Sequence, residues 1–106
     1  MRLPAHVFEP VGHKQLLSRM LQNLKHIYLH HEEYRRVLAV CDRLLLLDPG
    51  SAVERRDRGI VYLQLKYYGR ALRDLKAYLE LAPHAQDRDE ILEHIKMIRQ
   101  IISMMN

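Results

Sequence analysis

The sequence repeats itself at a spacing of 34 residues, and this feature restricts its fold more than any other. The matched pairs include Tyr28 and Tyr62, Leu29 and Leu63, Tyr34 and Tyr68, Leu38 and Leu72, Leu45 and Leu79, Leu47 and Leu81, and Pro49 and Pro83. A period of this length is typical of arrays in which each repeat is one helix–turn–helix unit. The period therefore predicts an all-α protein built from stacked helix pairs.

Within the first copy, the apolar residues are spaced as they are on one face of a helix. A first group comprises Leu17, Met20, Leu21, Leu24, Ile27 and Tyr28, and a second group comprises Tyr34, Val37, Leu38, Cys41, Leu44 and Leu45. The two groups predict helices within 13–31 and 32–49, each burying its apolar stripe. Pro49 prevents the second helix from extending further.

The second copy begins at the segment PGSAVE, where Ser51 is a good N-cap and Glu54 its capping-box partner three residues later. Its second helix ends before Pro83, and a third helix follows HAQDRDE, whose acidic side chains suit a helix N-terminus. This last helix carries Ile91, Leu92, Ile95, Ile98, Ile101 and Ile102 on one side. Five helices are predicted, preceded over 1–12 by an extended segment that contains Pro4 and Pro10 and joins an upstream part of the chain.

Seven residues at the expected positions resemble the anchors of the tetratricopeptide repeat (TPR). They are Leu24, Tyr28, Pro49, Gly59, Tyr62, Ala71 and Pro83. The resemblance implies an all-α domain over 13–106: two TPR-like helix-turn-helix repeats (about 15–49 and 50–83) in a right-handed superhelix, plus a C-terminal capping helix (about 87–104). It also implies that Gly59 lets two helices approach closely and that Ala71 leaves room for Tyr62.

Four phrases, RMLQNLKHIY, DRLLLLDP, RRDRG and DLKAYLELAP, are similar to the C-terminal helical module of a bacterial SirB-type family. In that family a transglutaminase-like domain precedes a short TPR-like tail. The resemblance implies that the chain is the accessory part of a larger protein and that any catalysis lies upstream, because the cysteine-histidine-aspartate chemistry of such a domain has no counterpart here.

The segment ERRDRG interrupts the repeat pattern, since Arg55 and Arg58 stand where the pattern has tryptophan and leucine. Those positions face neighbouring helices, so the guanidinium groups need partners. We expect an interhelical network of Arg55 and Arg58 with Asp42 and Asp74, because the planar guanidinium suits carboxylates. The alternative is a solvated, charged end of a helix.

The first helices of successive TPR repeats line a concave groove that takes up a peptide or helix, so their shared face is the predicted partner site. The residues on it are Arg19, Gln22, His26, Leu29, Val53, Arg56, Ile60 and Leu63. A mixture of cationic and aliphatic side chains favours a partner segment with both acidic and apolar residues. The asparagine-and-lysine clamp of some TPR domains is not recognisable at these positions.

Other chemistries have little support in the sequence. Cys41 lies on an apolar stripe and is expected to be buried and inert, so no catalytic residue is predicted. His26 and His30 lack a third ligand, so no metal site is predicted, and no cofactor is predicted either. No phosphate-binding loop or serine elbow is present, and no run approaches the ~20 apolar residues of a membrane span. A lone cysteine suits the cytoplasm.

Two alternatives to a groove-binding module stay open. With a net charge of +4 and seven basic residues in 54–76 beside Tyr62, Tyr67 and Tyr68, the chain has a basic patch that is an alternative nucleic-acid site. Met97, Met104 and Met105 widen the apolar face of the last helix, which favours a structural tail that packs on an absent domain, or a homodimer through this helix.

Overall fold

The computed structural model describes residues 10–105, which form five consecutive α-helices and no strand. The helices are α1 (Pro10–His30), α2 (Tyr34–Leu47), α3 (Ala52–Gln64), α4 (Tyr68–Leu81) and α5 (Arg88–Met104). Each helix packs against the next one along the chain. The all-α fold of two helix pairs and a closing helix, predicted from the period and the apolar spacing, is confirmed.

The turns inside the two helix pairs have the same backbone geometry 34 residues apart. Glu32 and Lys66 both take a positive φ, of 55° and 64°. In the residue that follows each of them, the backbone N–H donates to the carbonyl oxygen of Tyr28 at 2.8 Å or of Tyr62 at 2.9 Å. The repeat in the sequence is therefore also a repeat in hydrogen bonding, although the two turns carry side chains of opposite charge.

The largest part of the core lies between the second repeat and α5. Ala71, Leu75 and Tyr78 of α4 meet the buried isoleucines 91, 95 and 98 of α5. Two smaller clusters fill the first repeat and its contact with α3, one around Leu21, Val40 and Leu44 and the other around Val37, Cys41 and Val61. Burial of these aliphatic side chains is the main stabilising term for the helix pairs.

Gly59 brings α3 and α4 close together. A Cβ atom at this position would lie 2.9 Å from Cδ2 of Leu75 and 3.1 Å from Cβ of Asp74. Ala71, which is fully buried on α4, packs near the partly buried ring of Tyr62. The close approach that small residues permit at these positions agrees with the role the repeat pattern gives them.

Helix α1 differs from its prediction in two respects. It begins at Pro10, so residues 10–12 are helical rather than extended, because proline is tolerated at a first helical position where its missing N–H is not needed. Residues 1–9 of the predicted extended segment lie outside the described residues. Furthermore, most of the apolar stripe of α1 is exposed, and only Leu21 of that stripe belongs to the buried core.

No helix between residues 10 and 105 is both long enough and apolar enough to cross a membrane.

Candidate interaction site

The predicted partner site lies on the face that α1 and α3 share, and its residues differ in exposure. Arg19, His26 and Val53 are exposed. Leu29, Ile60 and Leu63 are partly buried because they also pack against core clusters. The predicted site therefore combines exposed polar side chains and one exposed valine with three aliphatic side chains that pack against two separate core clusters.

Lys25 and Glu54 form a buried ion pair beneath this face. The Lys25 Nζ lies 2.5 Å from Glu54 Oε1 and 2.7 Å from Asp57 Oδ2, and the side chains of Lys25 and Glu54 are each 3% exposed. Gln22 donates from Nε2 to the same Glu54 oxygen at 3.3 Å. Charge-assisted hydrogen bonds of this kind stabilise a buried charge that would otherwise be costly.

Arg56 continues the ion pairs toward α5. It donates from NH2 to Asp57 Oδ1 at 3.1 Å and from NH1 to Asp87 Oδ2 at 3.4 Å, and its guanidinium lies over the Tyr78 ring. The Tyr78 hydroxyl donates to Asp87. Arg56 thus has carboxylate partners within the chain, and it is not an uncommitted cation on the partner face.

We call the set of Lys25, Glu54, Asp57, Arg56 and Asp87 the interhelix ion chain. Within the described part of the chain, the backbones of α1 and α3 are not in direct contact, and neither are those of α3 and α5. Long charged side chains bridge both gaps, so the ion chain links three helices that the backbone brings together only through α2 and α4.

Lys25 in the ion chain and Tyr78 beside it both have raised pKa values, and so does Arg56. Burial of Lys25 opposes its charged form, but hydrogen bonds to Asp57 and Glu54 outweigh this effect and raise its pKa above the usual value. The hydrogen bond to Asp87, followed by burial, raises the pKa of Tyr78, because an ionised phenol beside a carboxylate is disfavoured. All three groups keep their protons at neutral pH.

A second ion cluster lies where α3 meets α2 and α4. Arg58 donates from Nε and NH2 to the two carboxylate oxygens of buried Asp74, at 2.7 and 2.8 Å, and from NH1 to Asp42 at 3.0 Å. The hydrogen bonds to Asp74, which outweigh the opposing effect of burial, raise the pKa of Arg58. The predicted association of Arg58 with these two carboxylates is present in the geometry.

Arg55 lies apart from this second cluster, which differs from the prediction. Its NH2 donates to the carbonyl oxygen of Pro49 at 3.4 Å, and its buried Nε has no hydrogen-bond partner among the described residues. The physical reason is position, since Arg55 lies almost one turn closer to the start of α3, next to the α2–α3 connection.

The capping box that was predicted at the start of α3 forms only in part. Ser51 accepts a hydrogen bond from the backbone N–H of Glu54 at 3.4 Å. The Glu54 side chain does not return to the Ser51 backbone, and instead pairs with Lys25. The buried ammonium competes for this carboxylate, because a charge-assisted bond is stronger than a bond to a neutral N–H group.

Sequence reasoning missed Lys25, Asp57, Tyr78 and the role of Asp87. One signal was present in the 34-residue comparison, where Lys25 falls on Gly59. Lys25 also lies four residues after Leu21 and three before Tyr28, so it shares the face of α1 that packs against other helices. A lysine there needs a carboxylate partner from another element.

The exposed apolar side of α1 corresponds to a buried side of α3. Met20, Leu24 and Ile27 are 55%, 39% and 51% exposed. The residues 34 positions later are Glu54, Arg58 and Val61, which contact the first repeat, and Glu54 and Val61 are each 2% exposed. We call Met20, Leu24 and Ile27 the α1 stripe. It is the side on which a preceding helix pair would pack.

The thiol of Cys41 and the potential metal ligands are the other groups whose chemistry the sequence raised. Burial raises the pKa of the Cys41 thiol to about 12, so the reactive thiolate is suppressed. Among the residues that the structure describes, no three histidine, cysteine or acidic side chains are placed to hold a metal ion.

Comparison with known proteins places these features in a family. The family model described as "Tetratricopeptide repeat" matches residues 24–96. A "UPF0162 protein" of Xylella fastidiosa (strain Temecula1 / ATCC 700964) is 37% identical over 94 residues, which cover 89% of this chain and 34% of the relative.

Two further relatives are similar in the same way. A "UPF0162 protein" of Buchnera aphidicola subsp. Baizongia pistaciae is 35% identical over 94 residues, or 89% of this chain and 33% of the relative. "Protein SirB1" of Salmonella typhimurium is 30% identical over 90 residues, or 83% and 34%. The chain spans about a third of the length of the relatives it matches. With more than half of its residues matched by the family model, the chain belongs to the tetratricopeptide repeat family.

Proposed function

We propose that this domain is a non-catalytic protein-interaction module that takes up a peptide or helix on the shared face of α1 and α3. The observation that supports the proposal is the match to the tetratricopeptide repeat, together with the exposure of Arg19, His26 and Val53 on the first helices of the two helix pairs. In a right-handed superhelix this face is the concave one. TPR repeats are typical of protein-interaction modules, and their grooves accommodate helical or extended segments.

The chemistry of the face favours a segment with acidic and apolar residues. Arg19 and His26 are exposed and lie outside the interhelix ion chain, whereas Arg56 already has two carboxylate partners. Val53 is exposed, and Ile60, two turns later in α3, is partly buried. An acidic group would pair with Arg19, and an apolar side chain would cover Val53.

Affinity capture from a nuclease-treated bacterial lysate tests this proposal. A groove variant, Arg19→Glu with Val53→Asp, changes only exposed side chains and leaves the ion chain intact. A protein that the unchanged domain retains, that the groove variant loses, and that an Arg99→Glu control still retains supports the proposal. Equal capture of the same protein by all three proteins contradicts the proposal. So does a parallel capture from an untreated lysate that retains nucleic acid alone.

A second candidate function, a tail that packs on another domain of a larger protein, is favoured by the α1 stripe. Its three apolar side chains are exposed, although their counterparts in α3 contact the first repeat. The relatives are about three times as long as the matched segment, so they contain enough additional chain to cover such a face. In this candidate the adjoining domain is transglutaminase-like, and the whole protein is cytoplasmic.

Mixing experiments distinguish the tail from the groove binder. The unmatched two thirds of the Xylella fastidiosa relative is expressed separately and titrated with this domain. Binding that Leu24→Glu abolishes and the groove variant leaves unchanged supports the tail. Self-association of the domain at the same stripe, detected by light scattering, supports a homodimer and contradicts the tail.

A further inference from the structure

We propose that a pocket between α3 and α4 binds a phosphate monoester group. The pocket has a volume of 260 Å³ and is lined by Arg58, Tyr62, Arg70, Arg73 and Asp74, and we call it the arginine pocket. It shares no residue with the groove face or with the α1 stripe. The proposal is therefore independent of the function proposed above.

The only carboxylate among the residues that line the arginine pocket already has an ion-pair partner. Both oxygens of Asp74 accept hydrogen bonds from Arg58, which uses its remaining terminal nitrogen on Asp42. This arrangement fixes Arg58 as one rigid wall of the pocket. It also removes Asp74 as a partner for the other two arginines.

Arg70 and Arg73 contribute positive charge that the chain does not compensate. Within residues 10–105, neither side chain forms an ion pair or a hydrogen bond with a carboxylate. The first turn of α4, which contains Arg70, holds no acidic residue. Both arginines line the same pocket, where an oxyanion would form charge-assisted hydrogen bonds with each of them.

Tyrosine rings lie beside two of the three arginines that line the pocket. The guanidinium carbons of Arg58 and Arg70 each lie 5.9 Å from the centroid of Tyr62, and Arg70 lies equally close to the centroid of Tyr67. A cation–π contact of this kind leaves the N–H groups of a guanidinium available for hydrogen bonds. Contacts with two rings limit the positions open to the Arg70 side chain, and such a restriction lowers the entropic cost of binding.

Charge and size select the ligand. A phosphate monoester carries about −1.5 to −2 charges at pH 7, which matches the two uncompensated arginines, whereas a carboxylate or a phosphodiester carries one. The pocket is smaller than the roughly 300–1,000 Å³ of sites for whole drug-sized ligands. It therefore suits the phosphate head group, with the rest of the ligand outside.

Titration of the domain with phenyl phosphate at constant ionic strength and pH 7.5, followed by NMR of the arginine side-chain N–H signals, tests the proposal. We expect binding at least about tenfold tighter than that of benzoate, because the dianion forms more charge-assisted hydrogen bonds. We expect about tenfold weaker binding for Arg70→Gln and for Arg73→Gln, and unchanged binding for Arg99→Gln.

A pH comparison on the unaltered protein adds a test that does not depend on variants. Phosphate monoesters lose charge below about pH 6 while arginine does not, so affinity should fall several-fold at pH 5. Benzoate, which stays mostly ionised at pH 5, should lose little affinity over the same pH range, so the ratio of the two affinities should fall.

Three results would overturn the proposal. They are benzoate binding as tight as phenyl phosphate, phosphate binding that neither glutamine variant weakens, and tighter binding of an eight-nucleotide oligothymidylate that the same variants weaken. The last result would make the pocket part of a nucleic-acid surface instead.

Discussion

The ammonium of Lys25 in α1 lies 2.5 Å from a carboxylate oxygen of Glu54 in α3, and both side chains are almost completely buried. The two residues are on helices whose backbones do not touch. The ion pair therefore connects the first helices of the two repeats through their side chains. Further ion pairs continue from Lys25 through Asp57 and Arg56 to Asp87 at the start of α5.

We predict that removing one partner of this pair costs more stability than removing both. Lys25→Met leaves Glu54 buried without its cation, and the free energy of unfolding should fall by about 3 kcal/mol. The double variant Lys25→Met with Glu54→Leu should lie within about 1 kcal/mol of the unchanged protein. Urea unfolding of Lys25→Met, of Glu54→Leu and of the double variant measures this coupling. Strictly additive losses of stability would contradict it.

Arg58 permits a comparison of two carboxylates that differ in burial. Asp74→Ala removes a buried partner with two-point geometry, so it should cost about 3 kcal/mol, whereas Asp42→Ala should cost less than about 1 kcal/mol because Asp42 is more than half exposed. The loss of stability for Arg58→Lys should lie between these two values, since lysine keeps the positive charge but cannot form the two parallel hydrogen bonds of a guanidinium. Similar losses for both aspartates in denaturant unfolding would disprove this ranking.

The helices and repeats could be predicted because they depend on local spacing. Apolar residues three and four apart, with Pro49 and Pro83 as stops, determine where helices run. Arg58 could be linked to Asp42 and Asp74 because the repeat pattern assigns all three to packed helices. Right-handed superhelical curvature stays a prediction, since it depends on small angles between helix pairs that no spacing encodes.

The interhelix ion chain and the α1 stripe could not be predicted, for different reasons. Lys25 reaches Glu54 and Asp57 only because side chains cross the gap between α1 and α3, which is a tertiary property. The spacing of Met20, Leu24 and Ile27 identifies an apolar face of α1 but does not say which element covers it. Helical periodicity is the same for a face that packs inside the chain and for one that does not.

The two helical glycines of the second repeat, Gly59 and Gly69, should respond oppositely to substitution by alanine. Gly59→Ala places a Cβ 2.9 Å from Leu75, so it should destabilise the domain by about 1–3 kcal/mol. Gly69→Ala meets no atom within 4 Å and lies in α4, so it should stabilise by roughly 0.5 kcal/mol through helix propensity. Thermal unfolding of the pair measures both signs, and destabilisation by Gly69→Ala would contradict the open space at that position.

Stability should decrease at alkaline pH, beginning with Cys41. Its pKa is about 12 in the folded chain and near 8.5–9 when unfolded, so the unfolded state loses its proton first. A raised folded pKa contributes stability below the unfolded value and loses it as pH rises toward 12. Lys25 and Tyr78, whose pKa values are also raised, add losses above about pH 10. Between pH 8.5 and 10, Cys41→Ala should show a flatter decline in urea-unfolding free energy, and an unchanged slope would contradict the assignment.

Ile27 and Val61 occupy equivalent positions in the two repeats and should report on the covering of the α1 stripe. Val61 is buried by the first repeat, so Val61→Ala should cost about 1–3 kcal/mol in the isolated domain. Ile27 is half exposed, so Ile27→Ala should lower the stability of the isolated domain by less than about 0.5 kcal/mol.

If the tail candidate is correct, Ile27→Ala should weaken binding of the separately expressed remainder of the Xylella fastidiosa relative by about tenfold, because the lost apolar contact then lies in an interface. Calorimetric titration measures this second effect, with Arg99→Ala as the exposed control. A large loss of stability for Ile27→Ala in the isolated domain would contradict the exposed stripe itself, whereas an unchanged affinity would contradict only its proposed partner.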